Sequence, residues 1–190
     1  MESVGFKEWA IVCAALGGGQ QNIILRKGGI AEGRDGFRFQ HREFFLFPTA
    51  FHEQWEKTRL PQAVLPSMID GEVEINFWVK IDAIEVVTSL EQAEALAPLH
   101  VLKPSVVEER FYYNETRALH VAFVRVFRIF PAWKFPDAPA FGGCRSWVKL
   151  PPPPSTLRSE PVIDDEEHAQ RAQFFRTIVG DVATQAPLPS

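Results

Sequence analysis

Residues 72–87 read EVEINFWVKIDAIEVV. Val73, Ile75, Phe77, Val79 and Ile81 alternate with Glu72, Glu74, Asn76, Trp78, Lys80 and Asp82. A period of two marks a strand with one face buried and the other mostly wet. The stretch is one long strand or a bent pair. Residues 119–130, LHVAFVRVFRIF, keep the same period, but apolar groups stand on both faces, which places this strand centrally in a sheet. Around these two lie shorter strands: Asn22 to Arg26, His41 to Phe47 with Pro48 expected to end it, and an edge strand from Ser146 to Leu150.

The helices read from the sequence are short. Phe6, Trp9, Ala10, Cys13 and Leu16 make an apolar stripe that predicts a helix over 6–16, stopped by Gly17-Gly18-Gly19. Thr49 to Lys57 suggests a helical turn. Ser89 caps a helix that Pro98 closes, and Pro104 to Phe111 forms another, with Ser105 and Glu108 at capping-box spacing. Asp164 caps a last helix with Asp165, Glu166 and Glu167 in its first turn and Phe174, Phe175, Ile178 and Val179 on its apolar face. Strands alternating with long helices are absent, so a doubly wound sheet is excluded. The expected class is α+β: a small curved sheet, mixed or antiparallel, or one closed into a barrel, with short helices and a C-terminal helix. The expected division is one domain over 1–150, a proline-rich spacer over 151–160 around Pro151 to Pro154, and a helix with a frayed tail over 161–190.

The 190 residues are 46% hydrophobic and 23% charged, which excludes a disordered chain and supplies a real core. The net charge of −4 excludes a uniformly basic nucleic-acid coat, but it is unevenly spread. Residues 60–100 hold one basic and seven acidic side chains, and residues 101–149 hold eight basic and four acidic. Such asymmetry allows an electropositive face beneath a negative total. Cys13 and Cys144 are too few for a disulfide framework or a thiolate-rich zinc site. The apolar run Trp9 to Leu16 is far short of the ~20 residues that span a bilayer. A cytoplasmic protein with free thiols and no membrane association is expected.

The densest polar cluster runs from Arg26-Lys27-Gly28-Gly29 through Arg38, His41, Arg42 and Glu43 to Thr49 and His52. Glycines beside two cations expose backbone N–H groups to a phosphate or carboxylate, although neither a Walker loop nor GxGxxG is present. His41 and Glu43 are two apart on a strand, a spacing suited to an acid–base pair with Lys27 as electrostatic partner. With His52 and Glu53 they could approach a divalent metal, but no metal-ligand motif is present, and the expectation is no metal and no cofactor. Phe37, Phe39, Phe44, Phe45, Phe47, Phe51 and Trp55 crowd the same region. Alternating phenylalanines on a strand are core, which leaves Arg34, Arg38 and Arg42 facing outward. Cys13 lies on an apolar stripe and reads as core; Cys144, after two glycines, is a candidate reactive thiol. His100 and His120 read as structural.

The segments KEWAIVCAALGGGQQNIILRKGGIAEG, FRFQHREFFLFPTAFHEQ, LHVLKPSVVEERF with ALHVAFVRVFRI, and GGCRSWVKL resemble the prokaryotic family known as domain of unknown function 1802, over about residues 6–180. That family implies no activity. The run from Ala14 to Arg26, a helix, a glycine turn and a strand ending in arginine, is similar to the opening of ASCH domains in the PUA-like superfamily. That resemblance implies a small PUA-like β-barrel that binds RNA or modified bases, with a few relatives acting as hydrolases or nucleases. Gln21 stands where those domains carry a turn lysine, so what carries over is Arg26, with Lys27, facing a cleft.

Three functions are therefore expected in competition. The first is a nucleic-acid or nucleotide binding module, with Arg26, Lys27, Gly28, Gly29, Arg38, His41, Arg42, Thr49 and His52 about the ligand and RNA or DNA as partner. The second is a hydrolase or nuclease using His41, Glu43 and Lys27. The third is a protein-interaction module built on the proline run and terminal helix.

Overall fold

In the computed structural model, β4 (Glu72–Val87) and β5 (Leu119–Pro136) are the two long alternating segments, paired antiparallel from Val87↔Leu119 to Glu72↔Pro136. The described residues are 3–27, 37–50, 54–61, 69–113, 117–143 and 145–180. Register shifts between Ile75 and Phe77 and between Ile81 and Ala83 bend the pair, as bulges do. Around it are β1 (Val4–Trp9), β2 (Ile23–Arg26), β3 (Glu43–Thr49), β6 (Trp147–Lys149) and β7 (Arg158–Pro161). The sheet order is β2-β5-β4-β3-β1-β6, with β7 on β5. β1 and β3 run parallel and the other pairs antiparallel, so the sheet is mixed.

The sheet is open. Among the described residues nothing pairs β2 with β6, so the barrel alternative is not realised. The outer side of β2 is taken instead: the Leu99 carbonyl, just beyond α2 (Leu90–Ala95), accepts the Asn22 N–H at 3.0 Å, and Arg110 of α3 (Pro104–Phe111) donates to the Leu25 carbonyl at 2.8 Å. No helix among the described residues is long and apolar enough to cross a membrane.

Residues 4–17 correct the helix expected over 6–16. Val4 to Trp9 is a strand, and α1 covers Ala10–Gly17. Ala10, Ile11, Val12, Cys13, Ala15 and Leu16 are all buried, so α1 has no wet face whose period could mark its start. Parallel pairing of β1 with β3 decides the boundary. Gly17 fits a close approach: a Cβ there would sit 2.0 Å from the Phe77 ring. Pro48 does not end β3 but lies within it, opposite Glu8. Pairing with β4 stops at Phe45↔Trp78, so from there on β3 has a neighbour on one side only, where a missing N–H is tolerated.

Ser89 caps α2 by accepting the Gln92 N–H. Lys103, not Ser105, holds the N-cap position of α3, without a side-chain cap bond, because Pro104 takes the first helical position, where its fixed φ fits. Asp164 accepts the Glu167 N–H at 2.8 Å and opens α4 (Asp165–Val179). The spacer expected over 151–160 runs directly into β7 at Arg158. Helix α4 packs against the sheet: Phe175 is 1% exposed and lies on Phe123 of β5 at 5.3 Å.

Apolar side chains fill both sheet faces. Phe6, Phe44, Leu46, Val79 and Val126 join α1 in the main core. Phe45, Phe47, Ile75, Trp133 and Val148 form a smaller core on the opposite face. Phe37 and Phe39 are buried with the main core as expected, each contributing on the order of 2–3 kcal/mol. Phe51 lies outside the described residues.

Candidate functional site

Arg26 ends β2 and folds inward. Its guanidinium lies over the Phe6 ring at 4.6 Å, donates to the Lys7 carbonyl, and sits 3.8 Å from the Glu8 carboxylate. Glu8 is 3% exposed and accepts the Trp9 N–H at 2.9 Å. Arg110 lies over the Trp9 ring at 4.8 Å; burial lowers its pKa, and Glu8 opposes that shift. A buried carboxylate needs such partners, because an unpaired one costs several kcal/mol. Among the described residues the buried Nε of Arg26 has no acceptor.

Lys27 also turns inward. Its Nζ donates to the carbonyls of Ala118 (2.9 Å) and Phe111 (3.3 Å), and burial lowers its pKa. It therefore ties the end of β2 to the end of α3 and the approach to β5. Thr49 donates its hydroxyl to the Glu8 carbonyl at 3.0 Å. Gln21 is buried: it donates to the Ile23 carbonyl at 2.8 Å and accepts the Val101 N–H at 3.1 Å. Gly28, Gly29, Arg34, His52, Glu53 and Cys144 lie outside the described residues.

Residues 37–42 cross Phe6 with a period of two. Phe37 and Phe39 pack on Phe6 at 6.1 and 6.0 Å, while Arg38, Gln40 and Arg42 are exposed. Among the described residues neither Arg38 nor Arg42 pairs with a carboxylate. The His41 ring meets Trp147 at 5.0 Å, and Trp147 in turn meets Phe6 at 4.8 Å. Both His41 and Trp147 are half-buried. The buried Nε1 of Trp147 has no acceptor among the described residues. A continuous chain of contacts thus runs Arg26, Phe6, Trp147, His41, with Arg38 and Arg42 flanking it. Glu43 is exposed and in register with Lys80 across the β3–β4 pair.

The structure therefore links Arg26 and His41 through the rings of Phe6 and Trp147, leaves Arg38 and Arg42 exposed on the segment that crosses Phe6, and places Lys27 and Thr49 in backbone-clamping roles. The sequence reading missed Trp147, Phe6 and Glu8. The signal available for Glu8 was a single carboxylate inside the apolar run FKEWAIVCAAL. Among the described residues no group of three His, Cys, Asp or Glu side chains is placed to hold a metal ion. Cys13 is buried, and burial together with Glu8 pushes its thiol pKa well up, away from nucleophilic use. His100 is buried, and His120 is half-buried beside Phe37.

A family model described as Domain of unknown function (DUF1802) matches residues 5–174. No curated protein matches. Two crystal structures of ASCH from Zymomonas mobilis, one of them a mutant protein, are similar at 11% identity. Their TM-scores are 0.42 for the mutant and 0.43, over 90% of this chain and over 94% and 92% of theirs.

Proposed function

We propose, for a chain that belongs to the DUF1802 family, that the outward side of residues 37–42 binds single-stranded nucleic acid. The observation that carries the proposal is the alternation there. Phe37 and Phe39 anchor the segment in the core, so Arg38 and Arg42 are held outward, with no ion pair among the described residues, beside the half-exposed His41–Trp147 ring pair. Guanidinium groups meet phosphates, and a base stacks on the rings, worth about 1–3 kcal/mol per base. The N–H donors of Arg26 and Trp147 that have no partner among the described residues lie in the wall behind this surface and would donate to a carbonyl or phosphate oxygen. Glu43 and the main-chain clamps of Lys27 limit the positive charge to this short row.

The test is a fluorescence-anisotropy titration with RNA, single-stranded DNA and duplex DNA at ~0.05 and ~0.3 M salt. Binding to the single strands should weaken steeply with salt, because phosphate contacts release counterions. The Arg38→Ala/Arg42→Ala double variant should bind at least tenfold more weakly with an unchanged melting temperature, since both side chains are exposed. Equal binding by wild type and variant, or none at low salt, would remove this function.

A further inference from the structure

We propose that the split between β3 and β4 is a docking groove for an extended, lysine- or arginine-bearing segment of a partner protein. The two strands pair only from Glu43↔Lys80 to Phe45↔Trp78. Beyond that point β3 continues to Thr49 with β1 on one side, and β4 reaches back to Glu72 with β5 on one side. Each strand thus turns an edge toward the split that no described strand occupies. The gap is a groove of about 760 Å³, floored by Phe47, Pro48, Val73 and Phe141 and rimmed by Asp70, Glu72 and Asp137. At Pro48, Ile69 and Glu72 it meets a smaller cavity of about 100 Å³ beside α1, which Glu74 also lines. Ile69, at the junction, is 56% exposed.

Charge selects the occupant. Among the described residues two cations approach the groove, and both are engaged. Lys134 lies 3.0 Å from Glu74 and 3.4 Å from Glu72, and Lys7 donates to the carbonyls of Gly142 (3.1 Å) and Gly143 (3.0 Å). Three rim carboxylates, with Glu74 of the adjoining cavity, against these two ammonium groups leave the groove negative, which repels phosphate and attracts lysine or arginine. An unpaired strand edge accepts another strand through its N–H and C=O groups. A bound strand sends alternate side chains to opposite sides, so one set meets the apolar floor while the other reaches the acids. This groove lies across the sheet from Phe6 and is independent of the nucleic-acid surface.

The experiment titrates the full chain with three fluorescein-labelled peptides: (Lys-Val)4, (Glu-Val)4, and (Lys-Val)4 with alternate amides N-methylated. The first should bind, the second should not, and the third should bind at least tenfold more weakly. Asp70→Asn/Asp137→Asn should weaken the first by about tenfold without lowering the melting temperature, and Arg38→Ala/Arg42→Ala should leave it unchanged. Hydrogen exchange should slow over residues 72–76 on binding. Equal affinity for the N-methylated peptide, insensitivity to the aspartate changes, or protection elsewhere would overturn the proposal. A dimer at tens of micromolar that the aspartate changes dissolve would overturn it in favour of a second copy of this chain.

Discussion

His100 shows how one buried ring makes stability depend on pH. Its Nδ1 accepts the Leu102 N–H at 3.1 Å, so the ring hydrogen sits on Nε2, which has no acceptor among the described residues. Burial, with the Arg59 and Arg110 charges adding to it, lowers the pKa from 6.5 to about 4. The unfolded chain therefore takes up this proton near 6.5 and the folded chain only near 4. Between those values the unfolded state binds more protons, so this contribution is present above pH 6.5 and is lost as pH falls toward 4. At 1.36 kcal/mol per pH unit the full effect is about 3 kcal/mol. Urea unfolding at pH 7 and 4.5 checks it: the wild type should lose about 2 kcal/mol more than His100→Gln, which keeps an acceptor but does not titrate. Equal losses would mean that the ring is not held neutral.

Helix α4 argues the same point for an element. It is tied to the sheet by Phe175 on Phe123, by Arg171 on the Gly19 carbonyl (2.6 Å) and on Asn22, and by His168 on Asp82 at 2.7 Å. Phe175→Ala should cost about 3–5 kcal/mol, on the order of a 10 °C fall in melting temperature. Phe174→Ala, at a residue 39% exposed, should cost under about 1 kcal/mol. A thermal melt that treats the two alike would mean that α4 is not part of the core. Elements whose signal is local were legible. The alternating stretch 72–87 coincides with β4 from end to end, and Asp164 marks the start of α4. Elements decided by partners distant in sequence were not. Nothing local separates β1 from α1, because α1 is apolar all round. Nothing local licenses Pro48 inside β3 either, because the tolerance arises where β4 diverges. The site divides in the same way. The outward Arg38 and Arg42 follow from a two-residue period, whereas the inward turn of Arg26 depends on Glu8, eighteen positions earlier in the sequence.

Across the whole molecule, charge asymmetry in the sequence becomes asymmetry of faces, though not as the segment totals suggest. The basic excess of residues 101–149 is largely spent internally: Arg110 clamps the Leu25 carbonyl, Arg128 the Gly17 carbonyl, and Arg125 pairs with Asp165 at 2.5 Å. Of the acidic stretch 60–100, Asp70, Glu72 and Glu74 line the β3–β4 groove and the cavity that adjoins it, while Asp82 turns to His168 of α4. Lys7 and Phe47 on the groove side and Phe6 and Leu46 beneath residues 37–42 alternate along paired strands. Asp70 and Asp137 line the groove with Lys7 and Phe47, so these two acids and the arginine row lie on opposite faces of the sheet, roughly 10 Å apart. The Debye length is about 8 Å at 0.15 M salt and about 30 Å at 0.01 M. Near 0.15 M the acids should barely be felt by a nucleic acid on Arg38 and Arg42, and Asp70→Asn/Asp137→Asn should change its affinity by less than about twofold. At 0.01 M the same variant should bind about two- to fivefold more tightly, because two unscreened charges at that range are worth a few tenths of a kcal/mol per phosphate. Anisotropy titrations of both proteins at the two salts decide it. A gain that persists at 0.15 M would place the nucleic acid against the acidic groove itself and deny the separation of the two faces.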